Sequence, residues 1–181
     1  MLVLKDNYNP VLSMRDTQKA IKIVRDTFED NLAERLNLER ISAPLFVTRK
    51  SGINDDLNGV ERAVSFDVKE MPEAGDVVIV HSLAKWKRLA LKKYGFSSGE
   101  GFYTDMNAIR RDEDMDNLHS IYVDQWDWEK VINREDRNID YLKNTVKSII
   151  NALVDTLDLV KEKFPEVKTE FTREVFFITT Q

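Results

Sequence analysis

Four side chains stand out as able to do chemistry on an otherwise apolar scaffold: Lys87 on a basic segment, Arg110 at a strand end, and Gln125 with Asp127 in an alternating run. Cations set beside a carboxylate and an amide suit recognition of anions and zwitterions. Asp55 and Asp56 form a further pair of acids in a turn-rich stretch, exposed or functional. The same residues also describe an ordinary surface hairpin with scattered ion pairs, and composition alone favours that reading. The chain has no cysteine and only two histidines, His81 and His119. Disulfides, cysteine-based zinc sites and thiol nucleophiles are excluded, and any metal must prefer oxygen ligands.

These residues need elements to position them. Ile21, Val24, Phe28, Leu32 and Leu36 recur at helical spacing, with Asp16 or Thr17 placed to cap, and predict a helix ending near Leu38. Ile41 to Thr48 reads as an edge strand because Pro44 cannot donate to a central ladder. Ser51 to Gly59 is a loop, followed by strands at Ala63 to Val68 and Val77 to Val80. Lys85 to Tyr94 predicts a basic helix beyond Ser82, closed by Gly95.

Gly101 to Arg110 and His119 to Trp128 alternate in strand fashion around a charged loop, so they predict a hairpin. Alternation puts His119, Ile121, Val123, Gln125 and Asp127 on one face and Trp126 and Trp128 on the other, where the tryptophans read as core. His81 reads as core too, and His119 as a hydrogen-bonded structural residue. Ile139 to Phe164 keeps a helical repeat over the longest periodic stretch, with Pro165 as its stop, and Glu174 to Thr179 reads as a strand.

At 181 residues and 42% apolar content, a single domain over residues 1–181 is expected. The net charge of −5 offers no attractive field to a phosphate backbone, so nucleic acid is not an expected partner. No run is long and apolar enough to span a membrane, and Met1 to Pro10 lacks the apolar core of a signal peptide, so a cytoplasmic protein is expected.

Three segments carry a more specific pattern: His-Ser-Leu-Ala-Lys-Trp-Lys-Arg at 81–88, Gly-Glu-Gly-Phe-Tyr-Thr at 99–104, and His-Ser-Ile-Tyr-Val-Asp-Gln-Trp-Asp-Trp-Glu at 119–129. They resemble the ammonia-dependent asparagine synthetases (aspartate-ammonia ligases, AMP-forming), whose fold is related to class II aminoacyl-tRNA synthetases. The resemblance runs from the helix near Thr17, through Ala43-Pro44-Leu45, to Phe177. It covers nearly all of this chain and about the first half of the family's length.

The resemblance implies an α+β fold, an antiparallel sheet flanked by helices, truncated before the third class II motif. The first helix and the Pro44 strand resemble motif 1, which builds a homodimer. The strands around Arg110 resemble motif 2, which holds ATP. The implied partners are aspartate, ATP and ammonia: aspartate attacks the α-phosphate to give β-aspartyl-AMP and pyrophosphate, and ammonia then displaces AMP. ATP is expected with Mg²⁺, whose ligands would lie beyond residue 181, as would the final ATP arginine. The 181 residues alone are therefore expected to be inactive.

By the same resemblance Arg110 grips the α-phosphate, and Asp55, Ser82, Lys87, Gln125 and Asp127 bind substrate, with Arg110, Asp55 and Lys87 the catalytic set. The general class II pattern Phe-Arg-x-Glu reads here Ile109-Arg110-Arg111-Asp112, where the family usually has proline at 111, and Glu113 is assigned to the adenine side. The family's Gln-Asp-Asn loop reads Asn54-Asp55-Asp56, and Asp55 is assigned to orient aspartate or receive ammonia. Rival readings are a non-catalytic fragment or dimerisation module, and a true aspartyl- or asparaginyl-tRNA synthetase. The second is disfavoured by length and charge.

Overall fold

The computed structural model describes Val3 and residues 8–179. Most of the segment read for a signal peptide therefore lies outside the described residues. The class is α+β, as expected, but with two small sheets in place of one: strand orders β1-β5-β6 and β2-β4-β3. The chain divides into two compact units, one built from Glu39–Ser97 and Gly101–Val131, the other from the long helices with Ser98–Glu100 and the segment from Ile132 onward.

In the helical unit, α1 (Met14–Leu36) starts where the Ser13 hydroxyl accepts from the Asp16 amide at 3.1 Å. Ser13 is thus the cap, and the expected Asp16 and Thr17 fall in the first turn, where Asp16 favours the positive end of the helix dipole. Asn37 ends the helix in the left-handed region, φ 53°. Phe28, Leu32 and Leu36 are buried, whereas Ile21 and Val24 remain exposed. The partner helix α3 (Ile139–Lys163) is capped by Asn138 and stops before Pro165. Arg35 of α1 pairs with Asp155 of α3. Glu174 to Thr179 forms no strand, because a strand needs a ladder partner and the described residues offer none; Phe176 and Ile178 are exposed.

β1 (Leu38–Arg40) precedes the edge strand expected over Ile41 to Thr48, of which only β2 (Phe46–Thr48) forms, at the edge of the second sheet. Pro44, in the stretch between the two strands, lacks an amide hydrogen and cannot donate to either sheet. β3 (Ser65–Phe66) is shorter than Ala63 to Val68, and β4 (Val77–Ile79) runs antiparallel between β2 and β3. α2 (Ala84–Tyr94) ends at Gly95, whose φ of 77° suits a residue without a side chain.

β5 (Gly101–Ile109) pairs antiparallel with β6 (Tyr122–Lys130), Thr104 opposite Asp127 and Met106 opposite Gln125. β6 starts three residues later than expected from His119, and the cause is local. The Asp116 carboxylate accepts from the amides of Leu118 and His119 at 2.7 and 2.8 Å and holds them in the loop. Val80, Leu83, Met106 and Ala108 form a buried cluster with Ala43, Val47, Trp86 and Val123 packed on it. Met106, Ala108 and Val123 share the sheet face that α2 covers; Phe102, on that face, meets Trp86 edge-on at 5.8 Å. Trp126 and Trp128, expected in the core, are only half-buried because their face lies away from α2.

Candidate active site

Lys87 and Asp127 are the centre of the site. Lys87 lies on the buried side of α2, and its Nζ is 2.5 Å from Asp127 Oδ1. It also donates to the Trp128 carbonyl at 3.0 Å and lies 3.4 Å from Glu129 Oε2. The two side chains of the pair are only 8% and 18% exposed, so little water screens the charges. Such a pair persists only when its hydrogens find acceptors, and the ammonium here uses one carboxylate, one carbonyl and a flanking acid. Glu129 was not among the expected residues, although the alternation that put Gln125 and Asp127 on one face extends to it.

Gln125 shares that face and is exposed. Arg110 continues β5, its amide donating to the Ile121 carbonyl at 2.8 Å. At a strand rise of about 3.3 Å per residue, its Cα is roughly 13 Å along the strand from Met106, the residue opposite Gln125. Arg110 makes no ion pair among the described residues, and its buried Nε has no hydrogen-bond partner there. A guanidinium left unsatisfied is poised for an anion.

An ion pair between Arg110 and Asp112 would have made the arginine ordinary, but Asp112 is committed to Arg62. Arg62 donates to it from the backbone amide at 2.8 Å and from the guanidinium at 2.5 to 3.2 Å. Those side-chain bonds, followed by the backbone bond, hold the Asp112 carboxyl well below the usual carboxylate range. Glu113, whose amide donates to the Arg110 carbonyl at 3.1 Å, makes no ion pair among the described residues. Because folding lowers the Asp112 pKa, its contribution to stability is complete at neutral pH and is lost as pH falls below about 4 toward the folded value. Arg62→Met is expected to return the Asp112 carboxyl to the ordinary range in a carbon-detected NMR titration. An unmoved midpoint would show that other groups set it.

Asp55 sits on a loop fastened at its neighbour. Asn54, itself buried, accepts at Oδ1 from the His81 amide at 2.8 Å, and Lys85 Nζ donates to the Asn54 carbonyl at 3.2 Å. Asp55 follows Asn54 and Ser82 follows His81, so this bond brings the two expected substrate residues toward each other. The Asp55 carboxylate has no partner among the described residues, and Ser82 Oγ accepts from the Ala84 amide at 3.2 Å at the start of α2. His81 is wholly buried, with neither ring nitrogen partnered among the described residues, and His119 is exposed with Nδ1 2.9 Å from Asp116. A cavity of about 110 Å³ opens among Arg49, Gly52, Asn54, Asp56, Val78 and Lys85, and its lining includes neither Lys87, Gln125, Asp127 nor Arg110. That volume holds a few waters at roughly 30 Å³ each and is well short of a nucleotide site.

The geometry thus joins a desolvated cation and carboxylate to an unpaired arginine on one hairpin face. The profile of the aspartate-ammonia ligase family matches residues 15–181. The chain belongs to the aspartate-ammonia ligase family. It is 59% identical over 180 residues to an aspartate–ammonia ligase of Clostridium perfringens strain 13, covering 99% of this chain and 53% of that protein. Aspartate–ammonia ligases of Lactobacillus johnsonii and Levilactobacillus brevis are 55% and 53% identical with the same coverage. The chain therefore spans about half the length of these curated ligases. Among solved structures, a pyrrolysyl-tRNA synthetase of Desulfitobacterium hafniense gives a TM-score of 0.49 at 12% identity over 77% of this chain and 51% of that one, too weak a likeness to carry weight.

For a member of this ligase family, the described residues contain no group of three or more histidines and carboxylates that could hold a metal. No described helix is long and apolar enough to cross a membrane.

Proposed function

We propose that this chain supplies the amino-acid and α-phosphate sites of a cytoplasmic, homodimeric ligase that joins ammonia to aspartate, giving asparagine, AMP and pyrophosphate through β-aspartyl-AMP. The carrying observation is the buried Lys87–Asp127 pair beside Gln125 and Glu129. A zwitterion with one extra carboxylate can exchange into such a pair, its ammonium replacing Lys87 on Asp127 and its carboxylate taking the freed Lys87. Exposed Ile21 and Val24 on α1, and separately Leu45 and Phe46 at the β2 edge, support self-association. Both compact units are proposed to belong to one catalytic domain.

In the first step an oxygen of the aspartate β-carboxylate attacks the α-phosphorus of ATP, and the bond to pyrophosphate breaks. Arg110, unpaired in the free chain, neutralises the charge gathering on the α-phosphate oxygens, while Glu113 takes the adenine side. In the second step ammonia adds to the β-carbonyl carbon and AMP leaves with the electrons of the acyl–phosphate bond. A proton from nitrogen passes to Asp55, whose carboxylate is free for it. Ser82 donates its remaining hydroxyl hydrogen to the bound amino acid.

Asp127→Asn in the full-length enzyme tests this assignment. Removing the charge that pairs with an ammonium should raise the aspartate KM about tenfold or more and leave the ATP KM nearly unchanged. Equal effects on both substrates would remove Asp127 from the amino-acid pocket.

A further inference from the structure

Thr104 is wholly buried, and its hydroxyl has no hydrogen-bond partner among the described residues. Such a group is unusual in a strand, since an unsatisfied hydroxyl taken from water is destabilising, and valine would fill the same volume without that cost. Its place in the register gives the hydroxyl a use. Thr104 stands directly opposite Asp127, on the face that Phe102, Met106 and Ala108 turn toward α2. Residues opposite each other in an antiparallel pair hold their Cβ atoms about 4.5–5.5 Å apart, so a group seated on the Asp127 carboxylate comes within reach of the threonine oxygen.

Resting on the functional reading above, we infer that Thr104 is a ligand-contacting residue of the amino-acid pocket, its hydroxyl accepting a hydrogen from the ammonium group held by Asp127. In the free chain Lys87 occupies Asp127. When the ligand carboxylate draws Lys87 away, the ammonium enters between Asp127 and Thr104, and the orphaned oxygen gains its partner. The hydroxyl is thus a selector: it rewards a ligand that brings an ammonium and gives nothing to a dicarboxylate without one.

The test compares wild type, Thr104→Val and Thr104→Ser in the full-length protein, by thermal unfolding without ligand and by calorimetric titration with L-aspartate and with succinate, which lacks the ammonium. Thr104→Val should unfold at the wild-type temperature or above and bind aspartate about tenfold more weakly. Thr104→Ser should keep wild-type aspartate affinity to within about twofold, and succinate binding should be the same in all three. Equal aspartate affinity of the valine variant and wild type would overturn the inference while leaving the pocket in place. A valine variant that melts lower than wild type would also overturn it, by showing that the hydroxyl serves the fold. Failure of wild type to bind aspartate would overturn the functional reading itself.

Discussion

In the full-length enzyme Arg110→Ala is expected to lower the rate of aspartyl-AMP formation by roughly 10² to 10³, which is the usual loss when a positioned donor to transition-state charge is removed. The structure gives a reason for an effect at the upper end. Among the described residues no carboxylate pairs with Arg110, Asp112 being held by Arg62, so in the proposed site its full charge is available to the phosphate. Arg110→Lys should recover little, since a point charge cannot replace a planar fork at two oxygens. Single-turnover measurement of pyrophosphate release with saturating aspartate and ATP reports the step directly. Near-normal release by the alanine variant would remove Arg110 from the phosphate site.

Lys87→Met carries the second large effect, on stability as well as binding. It leaves the Asp127 carboxylate, 18% exposed, without its cation, and stranding one member of a buried pair costs about 3 kcal/mol or more. Replacing both members, Lys87→Met with Asp127→Leu, should return most of that stability, because apolar side chains of similar volume need no counter-charge. Urea midpoints of the single and double variants make the comparison, and the double variant should bind no aspartate. A single variant as stable as wild type would mean that water or Glu129 already compensates the charge.

Much of this arrangement was readable in the chain because it depends on period alone. The α3 repeat ends at Pro165 as expected, α2 ends at Gly95, and the alternation of β6 correctly puts Gln125 and Asp127 on one face. Boundaries failed where one side chain overruled the period. Asp116 binds two backbone amides and delays β6, and Ser13 caps α1 ahead of Asp16 and Thr17, which look like caps. Glu174 to Thr179 has strand composition, but composition supplies no neighbouring ladder. The partners of Lys87 and the commitment of Asp112 to Arg62 come from distant parts of the sequence, where no spacing rule reaches. Resemblance chose the residues; only the fold shows which charges are already spoken for.

The single bond from Asn54 to the His81 amide bears on what it takes to organise the loop that carries Asp55. A tether near the middle of Ser51 to Gly59 divides it into two short spans, each with far fewer conformations than the untethered loop. The disorder that Asp55 would otherwise surrender when a ligand arrives has been surrendered during folding, at a position adjoining Ser82. In the proposed role of Asp55, the tether lowers the share of the entropy of association that falls on the loop.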